Sequence, residues 1–416
     1  MEAQANSWNV VLNKFIEIKT AFMNRFGKEV LYNLDYSEET CLEMWVRWLD
    51  VPQYTELIEP LQINQDGDLI LIRYGQYSNI FDGESDIGFW DKYNGFYREC
   101  RSVVINWIRN ELVLTPFKKF FNLNEMEETS LENVTKRVHG ATSVEISDKL
   151  DGSMQSARYY RGGIIMSGSQ AIDIDKSWRL EYGYNWLTSH ENYMRMLKMY
   201  PEYTFIFELI TKEDEHVVLY SEAEDGLHLI GMRNTITGEE LSYGEVVMYG
   251  LTFDTMPVKV FPMTFKEVLS SLDDKKANEA EGFVVNIDGY RLKVKYNDYV
   301  YIHKILSKAS SPNMVIRAIA DDVYDDFKSK VPTAYRQSIE DFAVIVFKYK
   351  KDIEDEINKY YKKFYDDDRK TFMINVKENV PRSILSYVVA KYLGKEYNVL
   401  KNGTSGYKRK KDICQN

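Results

Sequence analysis

The sequence predicts an α+β protein with mostly antiparallel sheets, followed by an all-helical C-terminal domain. Short apolar runs lie between turn signals across residues 144–296. Helical periodicities interrupt them irregularly, whereas a parallel sheet calls for strand and helix in regular alternation. After about residue 310 the apolar spacing becomes three or four residues throughout. The chain has 416 residues, enough for two or three domains with a sizeable core. Its 44% hydrophobic and 28% charged content is that of a soluble globular protein.

Taken in order, the first 50 residues read as helical, because Val10, Val11, Phe15, Ile18 and Phe22 recur at near-helical spacing. Strand character begins at Asp66-Gly67, with Leu69-Ile70-Leu71-Ile72-Arg73-Tyr74 and then Arg101-Ser102-Val103-Val104-Ile105. Glu99-Cys100-Arg101 opens the latter strand, and Lys118-Lys119-Phe120-Phe121-Asn122 follows Pro116. Val144-Glu145-Ile146-Ser147-Asp148 leads into Lys149-Leu150-Asp151-Gly152-Ser153, and Met154 to Tyr160 forms the next run. Asp-Gly between two such runs predicts a tight hairpin turn. A helical insertion is expected around Trp178 to Met199. Phe205-Ile206-Phe207-Glu208-Leu209 and Glu281-Gly282-Phe283-Val284-Val285 each set a carboxylate in or beside a buried-looking strand. Asp288-Gly289 then turns the chain into Arg291-Leu292-Lys293-Val294-Lys295-Tyr296. Beyond that, Ile339, Phe342, Val346, Tyr349, Ile353, Ile357, Tyr360 and Phe364 mark one long amphipathic helix. Pro381 opens another helical stretch and Gly394 closes it. The expected domains are 1–310, with an N-terminal helical and strand extension, and 311–416.

A net charge of −11 argues against a generic nucleic-acid coat, which is normally basic, but not against a nucleic-acid enzyme, whose patches are local. The acidity is placed in Glu125 to Glu132, Asp214 to Glu224 and the C-terminal third. The tail Lys408-Arg409-Lys410-Lys411 reads as a solvated charge run or as a phosphate-contacting arm. Among 31 Tyr, 20 Phe and 7 Trp, most belong to interior packing and a few to stacking on bases. Cys41, Cys100 and Cys414 are too scattered for a disulfide framework, and no Cys/His spacing suggests zinc. The N-terminus lacks a signal pattern and no apolar run approaches the roughly 18 residues of a membrane span. The expected location is cytoplasmic (the host cytoplasm for a phage-encoded chain), with no membrane partner.

The chemistry centres on Lys149. Lys-x-Asp-Gly-Ser arises by chance about once in 400 chains of this length. A lysine held at the lip of a turn can act as a nucleophile once its proton is removed. At an ordinary pKa near 10.4 it is neutral only about once in 2,500 molecules at pH 7, a penalty of about 4.6 kcal/mol. Period-2 alternation puts Lys293 and Lys295 on one strand face and Leu292 and Val294 on the other. Two lysines on one face make a phosphate clamp, or a solvated strand edge guarded by charge.

This ordered set resembles the covalent nucleotidyltransferase superfamily of nucleic-acid ligases and mRNA capping enzymes. Glu99-Cys100-Arg101, Lys119-Phe120-Phe121-Asn122-Leu123-Asn124-Glu125 and Tyr299-Val300-Tyr301-Ile302-His303 narrow the resemblance to phage-type RNA ligases of the first class, the bacteriophage tRNA-repair ligases. It runs from about Tyr74 to His303. It implies a nucleotidyltransferase fold unrelated to ATP-grasp enzymes, ATP as substrate, and Mg²⁺ or Mn²⁺. The implied partner is RNA with 5′-phosphate and 3′-hydroxyl ends, in particular tRNA, bound by a monomer whose helical C-terminal domain supplies specificity. Lys149 would attack the α-phosphorus of ATP and leave a lysyl-AMP; AMP would pass to the RNA 5′-phosphate, and a 3′-hydroxyl would displace it. Lys293 and Lys295 would hold the α-phosphate and, with partial desolvation, help Lys149 lose its proton. Arg101 would contact the ribose-phosphate portion or the outgoing phosphates, with Lys119 doing similar work. Glu208 would bind the ribose hydroxyls, Glu281 would support the divalent ion, and Tyr74 would line the pocket. Asp325 and Asp326 sit where the family can carry a metal-binding carboxylate pair, or on a solvated helix surface.

Two positions depart from the family pattern. Ser167 stands where a basic residue is usual, leaving a triphosphate contact missing or supplied elsewhere, as by Lys176. Ser102 stands where glycine is usual. DNA ligases and capping enzymes share the lysine motif but follow it with a small β-barrel, whereas here the chain turns helical. A non-catalytic RNA-binding or phage structural protein could keep the fold, but Lys149, Glu208, Glu281, Lys293 and Lys295 are all retained.

Overall fold

In a computed structural model the chain forms two compact units, Met1–Tyr299 and Val300–Asn416. The structure describes residues 8–75, 87–214, 216–309, 312–329, 331, 336–402, 406–408 and 413. The expected boundary at residue 310 lies later than this division, which falls within the helix Asn297–Ala309.

The first unit opens with helices Val10–Phe26, Lys28–Asn33, Cys41–Leu49 and Pro52–Ile58. The Asn9 side chain caps the first, accepting from the backbone N–H groups of Val11 and Leu12. Thr40 and Glu43 form a capping box on the third. Strands β1 (Leu61–Asp66), β2 (Leu69–Tyr74), β3 (Arg101–Asn106) and β4 (Glu111–Leu114) follow as one antiparallel sheet. Its period-2 alternation serves two cores. Ile70, Ile72, Val103 and Ile105 pack with Phe15, Phe22 and Trp45 of the helices, while Leu71, Val104, Val113 and Leu114 face Ile172 on the other side. Strand β1 precedes the point where strand character was expected. It is an outer strand of half-buried and exposed residues, and Leu61 and Ile63 were its only alternating signal.

Strands β5 (Val144–Lys149), β6 (Ser153–Tyr160), β7 (Gly163–Gly168), β8 (Tyr203–Ile210), β9 (Gly226–Asn234), β10 (Met256–Pro257), β11 (Val260–Phe261), β12 (Gly282–Ile287) and β13 (Tyr290–Lys295) build two further sheets. Their orders are β10-β9-β8-β6-β7 and β11-β5-β12-β13, and every pairing except β9 with β10 is antiparallel. The fold is therefore α+β and antiparallel-rich. Helices Trp178–Ser189 and Glu191–Met199 cover the first of these sheets, burying Leu180, Leu187 and Met196 against Phe205 and Leu229.

The hairpin expected at Asp151-Gly152 is not formed. Strand β5 pairs with β11 and β12, and β6 pairs with β7 and β8, so Leu150 to Gly152 carries the chain from one sheet to another. The same dipeptide at Asp288-Gly289 does form a hairpin turn, with φ of 48° and 86°, because β12 and β13 pair directly.

The second unit holds helices Pro312–Ala320, Tyr324–Ser329, Gln337–Phe364, Arg369–Asn379 and Arg382–Tyr392. The 28-residue helix Gln337–Phe364 contains all eight expected apolar positions. Ile339, Val346 and Ile357 are buried with Phe372, Val376 and Ile384. Pro381 caps the helix Arg382–Tyr392, and Gly394 beyond it has φ 62°. The unit is not wholly helical, since Lys401–Asn402 pairs with Gly406–Tyr407. Among the described residues no helix is long and apolar enough to cross a membrane.

Candidate active site

The site is built around Gly282, which lies opposite Lys149 on β5 and opposite Lys295 on β13. A Cβ there would stand 2.3 Å from the Val294 carbonyl oxygen, so only glycine lets the three strands close up. Glu281 precedes it and is almost fully buried. Its Oε2 accepts from Lys149 Nζ at 2.7 Å, and its Oε1 forms an ion pair with Lys295 Nζ at 2.8 Å. One carboxylate thus joins the expected nucleophile to one of the two expected clamp lysines.

A cavity of about 240 Å³ opens beside this pair. Lys149, Val284 and Lys293 line it from one sheet, and Met154, Glu208 and Ile230 from the other; Arg101 and Phe120 join them. Apolar walls with a few convergent charges suit a base carrying a ribose-phosphate. Lys293 is half-buried, and its amine is held well below the ordinary lysine range. Burial is the main cause, with Arg101, Lys149, Lys119 and Lys295 adding to it. The Phe120 ring lies 5.0 Å from the Arg101 guanidinium and 4.9 Å from Lys293 Nζ. Glu208 is pushed up to about 7, chiefly by burial; Glu281 and Asp151 push the same way, and Lys149 and Arg101 oppose them.

The rest of the Lys149 motif serves position. A Cβ on Gly152 would lie 2.5 Å from the Leu209 carbonyl oxygen and 2.8 Å from Cγ of Glu208. The glycine is required by this close approach to β8, not by a left-handed turn. Asp151 accepts from the backbone N–H groups of Val217 and Val218 at 2.8 and 3.1 Å and from the Tyr299 hydroxyl at 3.0 Å. Its own N–H donates to the Tyr220 hydroxyl oxygen at 2.7 Å. Ser153 donates to Asp214 at 2.7 Å, and Arg179 Nε donates to the same carboxylate at 2.6 Å. Tyr220, Asp214 and Arg179 had no sequence signal, because their partners are 35 to 69 residues away.

Four of the expected residues, Arg101, Lys149, Glu208 and Lys293, line one cavity, and Lys295 joins them through Glu281. Lys119 and Tyr74 lie next door. Lys119 Nζ sits 5.3, 5.2 and 5.2 Å from the rings of Tyr74, Trp90 and Phe121, and it lines a separate cavity. Lys176 pairs with Asp173 at the surface and does not line the nucleotide-sized cavity. Ser102 has φ 63°, a left-handed conformation at a bulge between β2 and β3, where glycine would be unstrained. Its hydroxyl donates to the Ser169 carbonyl oxygen at 2.8 Å. Asp325 is exposed on a short helix of the second unit; the Asp326 side chain, Cys414 and residues 409–411 of the basic tail lie outside the described residues.

Among the described residues no three His, Cys, Asp or Glu side chains are grouped to hold a metal ion. The donor set therefore fits a divalent ion only as a shared one, taking a carboxylate oxygen from the protein and its remaining ligands from phosphate and water.

Residues 99–308, half of the chain, match a family described as RNA ligase. A "Putative bifunctional polynucleotide kinase/RNA ligase" of Autographa californica nuclear polyhedrosis virus is 23% identical over 252 residues, covering 56% of this chain and 35% of that protein. A "Putative RNA ligase" of Thermovibrio ammonificans is 26% identical over 245 residues, covering 55% and 60%. The chain thus spans about a third and three-fifths of the length of these relatives. Among solved structures, a Naegleria gruberi RNA ligase mutant with ATP and Mn aligns at 15% identity and TM-score 0.34, over 41% of this chain and 55% of that one. An archaeal ATP-dependent RNA ligase aligns at 12% identity and TM-score 0.45, over 86% and 99%.

Proposed function

The chain belongs to the RNA ligase family, and from that premise we propose that it is an ATP-dependent enzyme sealing RNA 5′-phosphate and 3′-hydroxyl ends. The observation that carries the proposal is the shared environment of three lysines: Lys149 and Lys295 on one buried carboxylate, and Lys149 and Lys293 on one cavity. Lys149 is the nucleophile. Its amine forms a P–N bond to the α-phosphorus of ATP, pyrophosphate leaves, and the ammonium proton is released. An RNA 5′-phosphate oxygen then bonds to that phosphorus and the P–N bond breaks, returning a proton to the lysine. A 3′-hydroxyl finally attacks the RNA phosphate and AMP departs.

The cations set around the α-phosphate position support this reading, because negative charge grows on its oxygens in the transition state. Lys293 and Lys295 fill that role, with Arg101 at the ribose-phosphate side and Glu208 accepting from the ribose hydroxyls. Lys119 does work similar to that of Arg101 from the upstream segment, and Tyr74, whose ring lies 5.3 Å from the Lys119 amine, stands beside it at the edge of the nucleotide pocket. Glu281 would help to hold a divalent ion, Mg²⁺ or Mn²⁺, which would supply charge neutralisation of the triphosphate. For Lys149 to attack, its amine must also release Glu281. Asp325 and Asp326 are a second, separate candidate pair for a divalent ion.

A helical unit after β13 supports RNA over DNA as substrate, since the DNA-sealing relatives continue into a β-barrel there. Residues 300–416 hold 23 Lys and Arg against 16 Asp and Glu, whereas residues 1–299 hold 30 against 48. The acidity expected in the C-terminal third therefore lies in the first unit, and the basic helical unit suits an RNA specificity element, with broken tRNA as the substrate. Incubation with α-labelled ATP and Mg²⁺, followed by a denaturing gel, tests the first step. Label should attach to the wild type and vanish in Lys149→Ala and in chelator; label persisting in Lys149→Ala sinks the assignment. Nicked DNA and single-stranded RNA assayed in parallel separate the two ligase classes.

A further inference from the structure

A second cavity of about 310 Å³ adjoins the first, and Phe117 and Phe120 line both. Its size is within the roughly 300–1,000 Å³ usual for small-molecule sites. Three carboxylates line it, but each is already engaged: Asp91 and Glu128 by Arg98, and Glu240 by Arg291. Lys118 and Arg137, both exposed, have no carboxylate partner among the described residues. The cavity therefore presents uncompensated positive charge beside aromatic walls. The Arg137 guanidinium lies 4.0 Å from the Tyr290 ring centroid, a surface of the kind on which nucleobases stack.

We propose that this second cavity receives the 5′-phosphorylated terminal nucleotide of the RNA, its phosphate held by Lys118 and Arg137 and its base stacked on the Arg137–Tyr290 platform. The proposal rests on the ligase reading for its purpose, and the chemistry of the second step explains the placement. The 5′-phosphate must approach the adenylate phosphorus on the side away from the departing Lys149 amine, the side pyrophosphate has vacated, and a cationic seat next to the nucleotide cavity serves it there. Phe120, held against Arg101 and Lys293, forms the shared wall.

The test uses the full chain and two oligoribonucleotides that differ only in a 5′-phosphate or 5′-hydroxyl. By fluorescence anisotropy the wild type should bind the phosphorylated strand at least about five-fold more tightly, and Lys118→Ala/Arg137→Ala should lose that preference. In single-turnover transfer from isolated lysyl-AMP protein, the variant should need about ten-fold more phosphorylated RNA for half-maximal rate. Its adenylation by ATP should stay within about two-fold of wild type. A wild type without preference, or a variant that keeps it, overturns the proposal. So does adenylation that falls in step with transfer, which would assign the cavity to the triphosphate tail of ATP. If the wild type takes no label yet prefers the phosphorylated strand and the variant does not, the ligase reading falls while the phosphate seat stands.

Discussion

Gly152 shows how little room the neighbours of the proposed nucleophile have. Alanine there would press its methyl group into the Leu209 carbonyl and the Glu208 side chain, on the strand that forms the opposite wall of the cavity. Gly152→Ala should cost about 2–3 kcal/mol in urea unfolding and reduce lysyl-AMP formation, because the move displaces Glu208 as well as Lys149. Glu208 is itself a residue whose proposed role opposes stability. Its carboxyl rises from 4.5 to about 7 on folding, so the folded state keeps a proton that the unfolded chain releases. Stability from this group is present below about pH 4.5, declines as pH rises to about 7, and is at its lowest above that. Glu208→Gln should therefore raise Tm more at pH 8 than at pH 5 while weakening ATP binding at pH 8. In the wild type, ATP affinity should fall between pH 8 and pH 6 as the carboxylate acquires a proton. A flat affinity profile across that range would remove Glu208 from ribose recognition.

At the scale of the element, the segment from Lys149 to Ser153 is a crossover pinned at both ends. Asp151 binds two backbone N–H groups of the 216–220 loop and the Tyr299 hydroxyl, and Ser153 reaches Asp214, which Arg179 also holds. Removing the Asp151 carboxylate takes an acceptor away from three donors that have little access to water. Asp151→Ala should cost about 3 kcal/mol in chemical denaturation and increase amide exchange at Val217 and Val218. Unchanged exchange at those amides would mean that the loop is held by other contacts. The buried Glu281 bridge between β5 and β13 follows the same logic: it orders two lysines at the expense of desolvating three charges, and its loss would leave both cations unpaired in the site.

Across the whole molecule the charge is divided by unit, with a net-acidic first unit and a net-basic helical second unit. RNA affinity should accordingly depend on salt through the second unit. Lys359, Lys362 and Lys363 are exposed near the end of the helix Gln337–Phe364, away from its apolar stripe. Replacing all three by alanine should lower the slope of log affinity against log salt by up to about 2 units, at about 0.7 per single-strand phosphate contact, and leave protein adenylation unchanged. An unaltered slope would locate the RNA contacts elsewhere.

The long helix of the second unit, the Asp288-Gly289 turn and the same-face pairing of Lys293 and Lys295 were legible from the residues alone, because each depends on contacts a few positions apart. So were the residue types needed to activate an amine and hold a phosphate. The local pattern did not reveal that Asp151-Gly152 joins two sheets, that one carboxylate ties Lys149 to Lys295, or that Lys119 stands among three rings outside the nucleotide-sized cavity. Periodicity states which face a side chain takes on its own strand but not which strand lies beside it. That choice is made when distant segments pair and bury their apolar faces together, and the site consists almost entirely of such pairings.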